Sequence, residues 1–369
     1  MAEPAGGEGG PAPLPRGLRA DWPVSWQSVR GRRTGLLARL EQAAVRLALA
    51  GANALPAPLL AAVIAVLSRL APLVDRRHAR VARSFLVQAL GPLPPAELAR
   101  RVRGAYRHLL RVVADAERFR RRVPPEEVLD HFEQRWSDAA REVAAAGQGS
   151  LVLTGHVGNW EVSIAAAPWV GFDPFFAISK PPANRYLSAD FQAARERQGI
   201  RLIPRRGAMA LAPAILRAGG SIGMMLDQRA RKRPVLAPFF GRPARCDRSA
   251  AVLLKRMRVP VVFAACYATE QPLRFRLELT EVIRPEEVRN ARIVDIVARV
   301  NRVFEAMIRQ APEQYFWLHD RYRDTPAEYP PGEAPAAGEA GAEGRDGFAG
   351  PGTVSSSRPS PPGEGGARS

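Results

Sequence analysis

Short apolar runs separated by helical stretches mark the second half of the chain. SLVLT, FFAI, IRLI, SIGMML and VPVVFAACY are strand-like. Between them, NRYLSADFQAARERQG, GAMALAPAILRAGG and RSAAVLLKRMR read as helices. Strands alternating with helices predict an α/β layer with a mostly parallel sheet flanked by helices. LRFRLELTEVI alternates apolar and polar residues, as a half-exposed edge strand does. ARIVDIVARVNRVFEAMIRQ predicts an amphipathic helix, with Ile293, Val297, Val300, Phe304 and Met307 on one side. QYFWLHDRYR closes the ordered part.

The first half is organised differently. Residues 1–34 are rich in Gly and Pro, predict a disordered leader, and lack a signal peptide's charged start and apolar core. Residues 35–75 form an apolar, membrane-associating segment. Within it, Leu47 to Ser68 runs uncharged between Arg46 and Arg69, long enough to cross a bilayer. The interruption ALPAP and the many alanines favour an interfacial helix pair; a span and a soluble buried hairpin are the alternatives. Residues 76–140 predict a basic helical region, with Leu98, Val102, Tyr106, Leu109 and Val113 on its buried face. Arg100, Arg103, Arg107 and Arg111 line another face, either solvated or available for docking. The α/β core is assigned to residues 141–325. Residues 326–369, without periodicity, are assigned to a disordered tail.

Charge narrows the partners. The 369-residue chain carries a formal net charge of +18. The stretch from Ala327 to Ser369 contributes −3, so the remainder carries +21. Such a field implies nucleic acid, anionic lipid or an acidic protein. No zinc-finger, RNA-recognition or basic-zipper pattern appears, so a non-enzymatic nucleic-acid-binding protein is the weaker alternative. The two cysteines, Cys246 and Cys266, form no C-x-x-C, which argues against a zinc site and a disulfide framework. No metal and no cofactor are expected.

Candidate chemistry centres on TGHVGNWEV. His156 lies in the turn after SLVLT, at a strand's C-terminal end, where α/β sheets bind ligands. Asn159 is a plausible N-cap, placing Glu161 in the first turn of the next helix. A carboxylate on one ring nitrogen would fix the tautomer while the other nitrogen takes a proton. Gly155 and Gly158 would leave the backbone open to substrate. No serine or cysteine adjoins His156, which suits direct attack by a substrate hydroxyl.

At these residues the chain resembles the lysophospholipid acyltransferase superfamily, and within it the bacterial lipid A late acyltransferases, whose motif H-x-G-N-W-E is HVGNWE here. ARERQGIRLIPRRG, GGSIGMMLDQ, APFFGRPA, VPVV and QYFWLHDRYR follow in the family's order, so the resemblance covers roughly residues 40 to 325. The region DRRHARVARSFLVQAL departs from it, lacking the usual asparagine and Phe-Pro turn. The resemblance implies a glycerolipid-acyltransferase-like core and transfer of a fatty acyl group from a thioester to a lipid hydroxyl. It implies His156 as base supported by Glu161. Arg195, or Arg206 beside Gly207, would serve the oxyanion or an acceptor phosphate. Asp227 and Gln228 would position acceptor polar groups or hold the following basic loop. The aromatic stretches PFFG and FDPFFAI would offer surface for an acyl chain, or are ordinary core. His78, His108 and His131 read as structural or exposed, and His319 as a packing residue or, through the closing motif, as part of the site. Acyl carrier protein or acyl-coenzyme A is the implied donor. The acceptor is a membrane glycolipid, a lipid A precursor or another lysolipid. The implied place is an anionic membrane surface, the cytoplasmic face of the bacterial inner membrane.

Overall fold

Alanine- and leucine-rich segments broken by prolines build the first layer. The structure, a computed structural model, describes residues 33–180, 182–329 and 335. The expected leader and tail therefore lie almost wholly outside the described residues. Helix α1 spans Leu36–Ala54 and α2 spans Ala57–Val74, so the uncharged run is divided at Pro56 between two helices. By length and composition α2 could cross a membrane, with a mean hydropathy of 2.0 and 11% of it buried. Its Leu60 and Ile64 pack on Ala114, whereas Leu59, Val63, Val66, Leu67 and Leu70 are exposed.

Helix α3 (Arg76–Leu90) starts at Asp75, whose side chain accepts from the His78 amide. Helix α4 (Pro95–Arg122) starts with proline at its first position, where a missing N–H costs nothing. On α4, Val102 and Tyr106 are buried and Leu98 and Leu109 partly so, but Val113 is 48% exposed and Val112 is buried instead. The buried stripe turns because α4 meets α1, α2 and α3 as well as the α/β layers along its length. Phe85 of α3 packs edge-on against Tyr315, Trp317 and Tyr322, at centroid distances of 5.9, 5.0 and 5.5 Å. Each such pair contributes about 0.5–1.5 kcal/mol beyond area burial. The basic helices thus share one core with the α/β layers.

The remaining elements follow in order: β1 (Phe132–Trp136), α5 (Asp138–Ala146), β2 (Leu151–Thr154), α6 (Trp160–Ala166), β3 (Phe175–Ser179), α7 (Arg185–Glu196) and β4 (Arg201–Pro204). Then come α8 (Ala208–Arg217), β5 (Ser221–Met225), β6 (Val235–Phe239), β7 (Arg242–Cys246), α9 (Ser249–Met257), β8 (Val261–Phe263), β9 (Ala265–Ala268), β10 (Phe275–Leu279), β11 (Val282–Ile283) and α10 (Ile293–Gln310). The main sheet has the order β11-β8-β2-β5-β3-β4, and its pairs are parallel apart from β11 with β8. A second, three-stranded sheet has the order β1-β10-β9, and β6 and β7 form a hairpin.

Three sequence expectations change. VPVVFAACY splits at Ala264, β8 joining the main sheet and β9 the second. LRFRLELTEVI supplies β10, the centre of the second sheet, whose Phe275, Leu277 and Leu279 are buried in one core with Phe119, Phe132 and Ala165, and its last two residues form β11 of the main sheet. Residues 132–136, read as helical, form β1, because pairing with β10 about 140 positions away outweighs local pattern. On α10, Val297, Val300, Phe304 and Met307 are buried as predicted and Ile293 partly so.

Candidate active site

Strands β2 and β5 are parallel neighbours, with Thr154 opposite Met225. The residues that follow them, Gly155-His156 and Leu226-Asp227-Gln228, leave the same C-terminal edge side by side. Asp227 Oδ1 lies 2.8 Å from His156 Nδ1, and Asp227 Oδ2 accepts from the His156 backbone N–H at 2.9 Å. Gln228 Nε2 lies 3.2 Å from His156 Nε2. An ionised carboxylate only accepts, so Nδ1 carries the proton. The lone pair is then on Nε2, and the Gln228 amide donates to it.

Asp227 is 1% exposed. Burial opposes its ionisation, but the charge and hydrogen bonds of His156, with the charge of Arg321, outweigh burial and hold its pKa below the usual carboxylate value. Arg321, also 1% exposed, donates to Arg245 O at 2.8 Å and to Cys246 Sγ at 2.9 Å. Burial, then the charge of Asp227, pushes the Tyr315 phenol well up, so it stays protonated. His319 Nε2 accepts from the Arg229 backbone N–H at 3.0 Å, and burial lowers its pKa to about 4. A neutral His319 thus fixes the backbone just after Gln228, which is a packing role.

Asn159 caps α6 as predicted, accepting from Val162 N at 3.1 Å, and Glu161 falls in the first turn. The expected contact between Glu161 and His156 does not form. Trp160 takes the place beside the imidazole, edge-on at 5.2 Å. The next helical residue is rotated by about 100°, so Glu161 turns to α7 and pairs with Arg195. Arg195 also donates to Glu161 O at 3.1 Å and to Gln198 Oε1 at 3.2 Å, and its guanidinium lies over the Phe191 ring. The donors expected to meet an oxyanion or phosphate are therefore engaged within the protein.

Arg206 is exposed in the turn after β4, and Gly207 (φ 94°) begins α8. Strand β4 is three places from β2 in the sheet, or about 14 Å at ordinary strand spacing. Arg206 and Gly207 share the rim with His156 but make none of its contacts. The two motif glycines open the backbone to the protein itself. A Cβ on Gly158 (φ +62°) would meet Cys266 O at 2.0 Å, and one on Gly155 would meet Asp227 Cγ at 3.3 Å. Gly158 N donates to Gln314 O at 2.7 Å and Phe316 N to His156 O at 3.0 Å, so the closing segment clamps the histidine loop.

Of the aromatic stretches, Phe239 and Phe240 are ordinary core, whereas Phe172 and Phe175 line an inner cavity of about 110 Å³. Asp227 stands out in the sequence as a residue at the strand rim, but its pairing with His156 does not. The one signal was the placement of Asp-Gln directly after the SIGMML run. Tyr315 and Arg321 carried no signal beyond the closing segment.

The fold is mixed α/β, with a histidine held by a buried carboxylate at the C-terminal edge of the main sheet. The chain belongs to the bacterial lipid A biosynthesis acyltransferase family, whose model matches residues 37–324. Among curated proteins, none matches the chain. The protein is accordingly an acyltransferase with an acyl donor and a lipid acceptor.

Proposed function

We propose that the protein transfers a fatty acyl group from a thioester, on acyl carrier protein, to a hydroxyl of a membrane glycolipid or lipid A precursor. The observation that carries this reading is His156, bonded through Nδ1 to buried Asp227 with Nε2 facing Gln228. The acceptor hydroxyl replaces the Gln228 amide at Nε2, loses its proton there, and its oxygen attacks the thioester carbon. Asp227 stabilises the imidazolium that forms. The freed Gln228 amide is a donor for the tetrahedral oxyanion. Collapse breaks the C–S bond, and the thiolate takes the proton back from His156, giving ester and free thiol. Glu161 and Arg195 position α6 and α7 and do not touch the imidazole.

The exposed apolar faces of α1 and α2 support binding to an anionic surface on the cytoplasmic side of the inner membrane, with arginines such as Arg69, Arg76 and Arg80 nearby. Acyl-coenzyme A is the alternative donor, and another lysolipid or glycolipid the alternative acceptor. Purified enzyme supplied with each donor and with lipid extract tests the reading. A new ester on one lipid, absent with His156→Ala, is the expected result. Equal product with His156→Ala would refute it.

A further inference from the structure

Two cavities meet at α6. The inner one, about 110 Å³, lies between the two sheets, with Val152, Phe175 and Leu277 in its wall. The outer one, a groove of about 1010 Å³, runs between α1, α4 and α7. Trp160, Glu161, Phe191 and Arg195 line both, so the Glu161–Arg195 ion pair stands at their boundary. Pockets for small organic ligands hold roughly 300–1,000 Å³. The outer groove reaches that range, and the inner cavity as it stands does not.

The groove is amphipathic. Leu49, Leu109, Val112, Val113 and Leu187 give it apolar walls. Val45 and Val113 remain 37% and 48% exposed on opposite sides, an apolar surface that the described residues leave uncovered. Five arginines line it (Arg46, Arg120, Arg121, Arg195 and Arg197) against three acids. All three acids are already paired: Glu117 with Arg120 and Arg121, Asp190 with Arg46, and Glu161 with Arg195. Arg197 is exposed, and its charge acts on Asp190 alongside that of Arg46. The surplus positive charge suits an anionic head group above a hydrocarbon chain. One wall, α1, also carries the exposed Leu36, Leu37, Leu40 and Leu47. The inner end reaches Trp160, whose ring touches that of His156.

We propose that this groove binds one hydrocarbon chain of an anionic membrane lipid, the acyl acceptor, and so brings the acceptor hydroxyl to His156. The assignment rests on the acyltransferase mechanism proposed above. Binding is tested with the intact protein and 1-palmitoyl-lysophosphatidylglycerol below its micelle concentration, with lysophosphatidylcholine as the zwitterionic control. Wild-type protein should bind the anionic lysolipid saturably, one per chain. Val113→Trp, and independently Val45→Trp on the opposite wall, should each weaken it at least tenfold. Both sites are exposed, so the variants should fold, as circular dichroism will check. Arg197→Glu should weaken the anionic probe several-fold and the zwitterionic one much less. In the transfer assay either tryptophan should raise the acceptor KM far more than the donor KM. Absence of saturable binding, or binding unaffected by both tryptophans, would overturn the proposal. So would a donor KM that rises as much as the acceptor KM, since the groove would then hold the donor chain. Lysolipid binding that depends on these residues in a protein without transfer activity would leave the groove standing and remove the catalytic reading.

Discussion

Asp227 and His156 are 71 positions apart in the chain, yet Asp227 holds both the imidazole Nδ1 and the backbone N–H of His156, at 2.8 and 2.9 Å. One carboxylate thereby fixes both the ring and the loop that carries it. Asp227→Asn should keep the fold but reduce kcat on the order of a thousandfold, because an amide neither enforces the tautomer nor balances an imidazolium. Glu161→Gln should reduce it far less. Initial rates with thioester donor will check both, and a larger loss for Glu161→Gln would return the supporting role to Glu161.

Gly158→Ala should cost both stability and activity. The added methyl would overlap the Cys266 carbonyl at a backbone angle of +62°. Strain of this kind costs about 1–3 kcal/mol, and the clash adds to it. Urea midpoints of the two proteins measure the loss. An unchanged midpoint would mean that the loop has another conformation.

Stability should fall in acid through two buried histidines. Burial lowers His108 to about 3, helped by the charge of Arg111, and lowers His319 to about 4. In the unfolded chain both protonate near pH 6.5, whereas the folded forms stay neutral well below that. The unfolded state therefore binds more protons, and stability is lost as pH drops from about 6.5 toward 4, by up to about 1.4 kcal/mol per unit for each group. His108→Leu should lessen the difference between urea midpoints at pH 7 and pH 5, because the variant has no buried imidazole to protonate at that position.

A carrier-protein donor predicts salt-sensitive kinetics. Arg103 and Arg107 are exposed on α4, whereas Arg111 is tied to Asp115 and to the Thr269 carbonyl. Changing Arg103 and Arg107 to Glu should raise KM for acyl carrier protein substrates several-fold with little change in kcat, and a small synthetic thioester should be much less affected. The wild-type kcat/KM should decline with ionic strength. Identical carrier kinetics in the variant would leave these arginines as a solvated face.

Membrane binding should depend on the outer face of α2. Leu67 and Leu70 are about half exposed, at 46% and 50%. Replacing both with Glu should reduce co-sedimentation with phosphatidylglycerol vesicles by at least tenfold while leaving soluble expression intact. Undiminished sedimentation would place the contact elsewhere.

The strands of the main sheet other than β11, helices α7 to α10 and the Asn159 cap were legible in the sequence, because each depends on local pattern: apolar runs of strand length, helical periodicity and capping chemistry. His156 was legible for the same reason, as a histidine just after a buried strand. Its partner was not. Glu161 is near in sequence, but helix geometry gives the adjacent space to Trp160 and sends Glu161 to Arg195. Asp227 becomes the neighbour only because β5 inserts beside β2, an order fixed by parallel pairing across the whole sheet. The same holds for β1, whose five residues are a strand only because β10 offers an edge. The sequence by itself determined helices α7 to α10, most strands of the main sheet and the acyltransferase motif, since those need only neighbours in the chain. Which carboxylate meets the histidine, and which helices wall the groove, is decided by contacts between distant segments, and only the tertiary structure supplies them.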